Sequence, residues 1–186
     1  MKLGLTDVSE TFQGMLSGIS EVESRDEIVL TQIPSPKGIA PEAIAISAEV
    51  AHETASDHGV SRLVYCRDPE MPEGWSSEFR IIGYAKSPIE LEMAKDDYTA
   101  AMPWEWLKDC LKESGAQFAH EAGTTTTVIS TGHGPLVAQP QHGELEIRAS
   151  WAPLDFDLSN HLRGWIELVA LISGLPPKDG TVVRLD

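Results

Sequence analysis

Apolar and polar residues alternate strictly through "GELEIRASWAP", residues 143–153. Leu145, Ile147, Ala149 and Trp151 fall on one side of a strand; Glu144, Glu146, Arg148 and Ser150 fall on the other. Four further strands are read upstream. "EIVLTQIP" reads as a strand stopped by Pro34, and "AIAISAEVAH" sets Ile44, Ile46, Ala48 and Val50 on one face. "VSRLVYCRD" and "WSSEFRIIGYAK" supply two more. The connections "IPSPKGIAP", "ETASDHG" and "DPEMPEG" carry the residues of turns and loops. Four successive strands on such connections predict an antiparallel meander.

Helical spacing appears at three other places. "DVSETFQGMLSGIS" brings Phe12, Met15, Leu16 and Ile19 to one face, with Asp7 and Glu10 as a reciprocal cap. "SPIELEMAKDD" predicts a short helix capped by Ser87, with Pro88 in its first turn and Glu90 closing a capping box. "PWEWLKDCLKESG" predicts another between Pro103 and Gly115. Strands resume in "AQFAHE", "TTTTVIST" and residues 143–153. The last helix lines Leu158, Leu162, Trp165, Ile166, Val169 and Ile172 on one side and stops at Gly174 and the following prolines. The tail "TVVRLD" offers a further edge strand. The order helix, four strands, helices, three strands, helix predicts an α+β fold. Its sheet is mostly antiparallel, with the helices segregated mainly to one face. No linker or repeat divides it, so residues 1–186 are expected to form a single domain.

Composition narrows the class of protein. Of 186 residues, 41% are hydrophobic and 23% charged, as in an ordinary globular chain. No apolar run approaches the ~20 residues of a membrane span, and "MKLGLTDVSE" has no signal-peptide core. A cytoplasmic location is expected. The charge balance is lopsided: 14 Lys and Arg against 29 Asp and Glu, a net −15. Such a chain repels nucleic acid and anionic membranes. A protein partner is easier to accommodate, although acidity also simply keeps a protein soluble.

The motifs for chemistry are sparse. Cys66 and Cys110 stand far apart with no CxxC spacing and read as reduced, packed thiols. A zinc site needs three or four converging donors. The six histidines show no HxH, HxxxH or HExxH spacing. The candidates for a metal are His133 and His142, which flank "GPLVAQPQ", together with His161. Loop and surface histidines without a metal are the simpler reading. GxSxG and the phosphate-loop pattern GxxxxGK[ST] are absent, so no catalytic residue and no cofactor are expected.

The tryptophans carry more. Trp104 and Trp106, two apart on a helix, diverge by about 200°. One is therefore expected to look away from the core, as an interface anchor does; a helix sandwiched between sheet and loop would instead bury both. With Glu146 and Arg148 they make the candidate interaction surface.

The segments "RDEIVLTQIPSP", "IAPEAIAISAEV", "RIIGYAKSPIELEMAKDD", "WEWLKDCLKESG", "ELEIRASWAP" and "HLRGWIELVALISGLPP" occur here in a specific order and spacing. On these the chain, from about Phe12 to its C-terminus, resembles the actinobacterial domain of unknown function 3000 family. It departs around "TGHGPLVAQPQHG". The resemblance implies a bacterial cytoplasmic protein and carries no activity and no catalytic residue. The element order is also similar to that of small acidic secretion chaperones, a likeness of fold alone.

The leading expectation is a non-enzymatic, acidic protein-binding or adaptor module. The alternatives are an enzyme or metal-binding protein centred on the 130–143 loop, or a small-ligand binder with a pocket between sheet and helices. Homo-oligomerisation is left open.

Overall fold

A computed structural model describes residues 1, 3–5, 8–51, 59–138 and 141–176. Among the described residues six strands make one sheet: β1 (Ile28–Ile33), β2 (Glu42–Val50), β3 (Val60–Arg67), β4 (Phe79–Ile89), β5 (Phe118–Ser130) and β6 (His142–Pro153). Their order is β1-β2-β3-β4-β6-β5, and every neighbouring pair is antiparallel. The expected four-strand meander is β1 to β4. The chain then crosses over through α2 (Leu91–Ala94) and α3 (Met102–Glu113), and β6 returns between β4 and β5. Among the described strands that leaves β5 on the edge.

The helices α1 (Glu10–Leu16), α2, α3 and α4 (Ser159–Ile172) pack against the sheet, so the fold is α+β as expected. Alternation decides which strand residues meet them. Ile44, Ile46, Leu63, Tyr65, Ile81, Ala85, Ile147 and Trp151 share one buried cluster with Phe12, Leu107, Leu162 and Trp165. The fit is close in the middle: a Cβ on Gly83 would lie 2.5 Å from the Trp165 ring. Trp165 also donates its indole Nε1–H to Ser61 Oγ at 3.0 Å. The α4 face is the one its spacing predicts, with Leu158, Leu162, Trp165, Ile166, Val169 and Ile172 all buried.

Several local expectations are corrected. The cap of α1 is Ser9, whose hydroxyl accepts from the Phe12 N–H. Asp7 lies outside the described residues, as do most of "ETASDHG", Pro177 and the tail "TVVRLD". Ser87 and Pro88 do not start a helix: β4 runs through them, and α2 begins after Glu90. Pairing with β3 ends at Lys86, so Pro88 sits where β4 is paired only with β6 and its missing N–H breaks no second ladder. "AQFAHE" and "TTTTVIST" are one strand rather than two. A bulge between Ala119 and Ala122, with His120 in the left-handed region at φ 54, bends β5 without ending it. Six strands are therefore described where seven were expected.

Candidate functional site: the open face of the sheet

The face of the sheet away from the helices is only partly covered. Near β1 to β4 the loops before β2 and β4 fold over it. There Ile39, Ala40 and Trp75 pack with Ala45, Val64, Cys66 and Ile82 in a second, smaller apolar cluster. Beyond them the sheet is open, and a trough of about 700 Å³ crosses β3, β4, β6 and β5.

Register builds this trough from residues distant in sequence. Val64 pairs with Ile82, Ile82 with Ser150, and Ser150 with Ala122, giving a largely apolar row. One step along the strands, Arg62 pairs with Tyr84, Tyr84 with Arg148, and Arg148 with Thr124. Neighbouring strands are about 4.8 Å apart, so these four side chains form a second, cationic and aromatic row. The Arg148 guanidinium lies 5.1 Å from the centre of the Tyr84 ring. Its Nε donates to Glu146 Oε1 at 2.7 Å, and the Tyr84 hydroxyl donates to Glu146 Oε2 at 3.1 Å. Lys86 and Glu144 pair beside them at 2.6 Å.

A third arginine lies on the same face. Arg80 is buried and donates through Nη2 to Ser150 Oγ at 2.9 Å, with longer contacts to the Ser150 and Trp75 carbonyls. Among the described residues it makes no ion pair. Burial draws its pKa down, as expected for a cation taken out of water without a carboxylate.

Three titratable groups of this face are shifted from their ordinary values. The Arg148 hydrogen bond holds the Glu146 carboxyl below its usual range, so it is an anion and not an acid. Burial and the Glu146 contact push the Tyr84 hydroxyl up. Cys66 lies here in the cluster that Trp75 packs against, and burial pushes its thiol up to about 12, which leaves it a poor nucleophile. General acid–base work needs a group poised near the working pH. None of these is.

The expected site residues divide. Glu146 and Arg148 lie on the open face, as alternation requires. Trp104 and Trp106 do not separate into buried and exposed: both are half-buried and pack against the main core. Gly123 makes the room for one of them, since a Cβ there would meet the Trp104 ring at 2.7 Å. With β5 and α4 both packed against α3, the 200° divergence leaves neither indole exposed. His133 and His142 are exposed at the two ends of the 130–143 loop. His161 is instead fully buried at the start of α4, where Nδ1 accepts the indole N–H of Trp151 at 3.1 Å. Among the described residues no group of three or more His, Cys, Asp or Glu side chains is gathered to hold a metal ion. The trough lies on the face opposite the helices, not between sheet and helices.

Arg62, Arg80 and Tyr84 were missed from sequence. Their signal was present, since each alternates with core residues as Glu146 and Arg148 do, but only the strand register brings them together.

Among the described residues no helix is long and apolar enough to cross a membrane. No curated protein and no solved structure matches the chain. The model of the family described as "Protein of unknown function (DUF3000)" matches residues 8–183, and the chain belongs to that family.

Proposed function

We propose that this protein is a non-enzymatic binding module that holds a partner segment in the trough on the open face of its sheet. The segment offers an apolar side chain and a carboxylate. The observation that carries this reading is the adjacency of two rows, one largely apolar (Val64, Ile82, Ala122) and one bearing Arg62, Tyr84 and Arg148. Apolar surface supplies the driving force, and a guanidinium fixes orientation because its planar fork matches a carboxylate. A chain of net charge −15 that gathers three arginines on one face is locally complementary to an anion while repelling long polyanions elsewhere. An isolated carboxylate therefore fits where a nucleic acid does not.

The test uses 8-anilinonaphthalene-1-sulfonate, an apolar monoanion that fluoresces when desolvated. The folded protein is expected to bind it with saturable fluorescence, and Arg62→Glu to weaken that binding roughly tenfold, equivalent to about 1.4 kcal/mol. Arg62 is exposed, so the substitution leaves the core intact. Equal binding by the two proteins would place the apolar anion elsewhere and sink the reading.

A further inference from the structure

We propose that β5 pairs antiparallel with β5 of a second copy of this chain, so that the two sheets run on into one another. This rests on the edge of the sheet and not on the trough. An edge strand points alternate N–H and C=O groups away from its sheet, and proteins protect such edges with charge, proline, bulges or cover. β5 has its bulge near the start. From Ala122 to Ser130 its register with β6 is uninterrupted. Those nine residues, "AGTTTTVIS", contain neither a charge nor a proline, and six of them are β-branched. Val128 and Ile129 are exposed at 38% and 44%.

The other edge is treated differently. Beside β1 the Gln32 side chain accepts from the Gly4 N–H at 2.6 Å and donates to the Gly4 carbonyl at 3.0 Å, which holds Gly4 against that edge. The described chain also ends on that side: Arg25, just before β1, donates to the Pro176 carbonyl at 2.6 Å.

Charge selects the occupant. Two chains of −15 repel each other over most of their surfaces, so contact between copies is cheapest along an uncharged stretch. A copy brings the same uncharged strand. A two-fold axis perpendicular to the sheet through the threonine run matches each outward donor with an outward acceptor and keeps both helix layers on one side.

Sedimentation of the full chain, from micromolar to hundreds of micromolar, tests this. Twice the monomer mass is expected at the upper end. The variant Thr126→Lys with Val128→Lys is expected to stay monomeric. In its own sheet each lysine faces a glutamate of β6, Glu146 and Glu144, so folding is favoured, while the joined strands would bring lysines together. Glu70→Lys changes net charge by the same two units on an exposed loop and is expected to remain a dimer. Hydrogen exchange of the unsubstituted protein gives a second reading: alternate amides from 122 to 130 should slow at least tenfold as concentration rises. A monomer at every concentration would overturn the proposal, including one formed because the chain's own tail occupies β5. A dimer that survives the lysines with unchanged exchange in β5 would overturn it too.

Discussion

Trp151 donates its indole N–H to Nδ1 of His161 across 3.1 Å, inside a core where neither side chain is exposed. That bond fixes the tautomer: Nδ1 is the acceptor, so the proton is on Nε2. Nε2 lies 3.4 Å from Asp155 Oδ2 and makes no well-formed hydrogen bond. Burial therefore outweighs the nearby carboxylates and draws the His161 pKa down to about 4. In the unfolded chain it returns to about 6.5. The folded state loses proton affinity, so its stability is greatest above about pH 6.5 and declines as pH falls toward 4. Between about pH 7 and pH 4.5 this one group should remove roughly 2–3 kcal/mol. His161→Gln keeps an acceptor for Trp151 but does not titrate. Denaturant unfolding at the two pH values should show a smaller drop for the variant, because the carboxylates are common to both proteins. Equal drops would mean that the imidazole is solvated.

The same residue marks the limit of what the sequence made legible. The α4 stripe was plain from spacing, and it included Leu158, Leu162 and Trp165 around His161, but spacing does not say that an imidazole replaces an aliphatic side chain in the core. Strand composition and turn signals identified β1 to β4, of which β2 and β3 bury residues of both faces, and period-two alternation identified β6, which buries one face over most of its length. They did not reveal that β6 inserts between β4 and β5, which is a matter of long-range pairing. Ser87, Pro88 and Glu90 imitate a capping box, yet pairing of β4 with β6 holds Ser87 and Pro88 extended. Arg62, Tyr84 and Arg148 are separated by many residues and are aligned only by register, so the trough had no local signature.

Gly83 and Trp165 form a matched pair. The indole lies where a side chain at position 83 would be, 2.5 Å from an added Cβ. Gly83→Ala should displace the ring and cost about 1–3 kcal/mol. Trp165→Ala should cost about 3–5 kcal/mol, since it leaves a void and strands the Ser61 hydroxyl. In the double variant the added methyl no longer meets an indole, so the two losses should sum to more than the pair costs together. Strict additivity in a denaturation series would show that the two are not in contact.

The thiols supply a third check. Cys66 and Cys110 are buried, and burial pushes each up to about 12, helped at Cys110 by Glu113, Glu167 and Asp109. The thiolate is the reactive form. At mildly alkaline pH a thiol reagent should label the native protein slowly and both cysteines promptly after unfolding. Prompt labelling of one thiol in the native state would show that its cover opens, and the loop that carries Trp75 onto the Cys66 cluster would be the element to examine.

The alternation in residues 143–153 gives the last prediction. Its apolar members point at the helices and its charged members at the open face, and the two sets should respond differently to truncation. Ile147 is 1% exposed within the main core. Ile147→Ala leaves a cavity among side chains that relax only in part, and should cost about 2–5 kcal/mol. Arg148 projects into solvent, where water already solvates the guanidinium. Arg148→Ala should leave the denaturation midpoint nearly unchanged. Glu146 is intermediate, because its carboxylate also accepts the Tyr84 hydroxyl. Its removal should cost on the order of 1 kcal/mol, the worth of one partly exposed hydrogen bond. The order Ile147, Glu146, Arg148 is the test. If Arg148→Ala proved as damaging as Ile147→Ala, the open face would be covered in solution. A second sedimentation series on that variant would then show whether another copy is the cover.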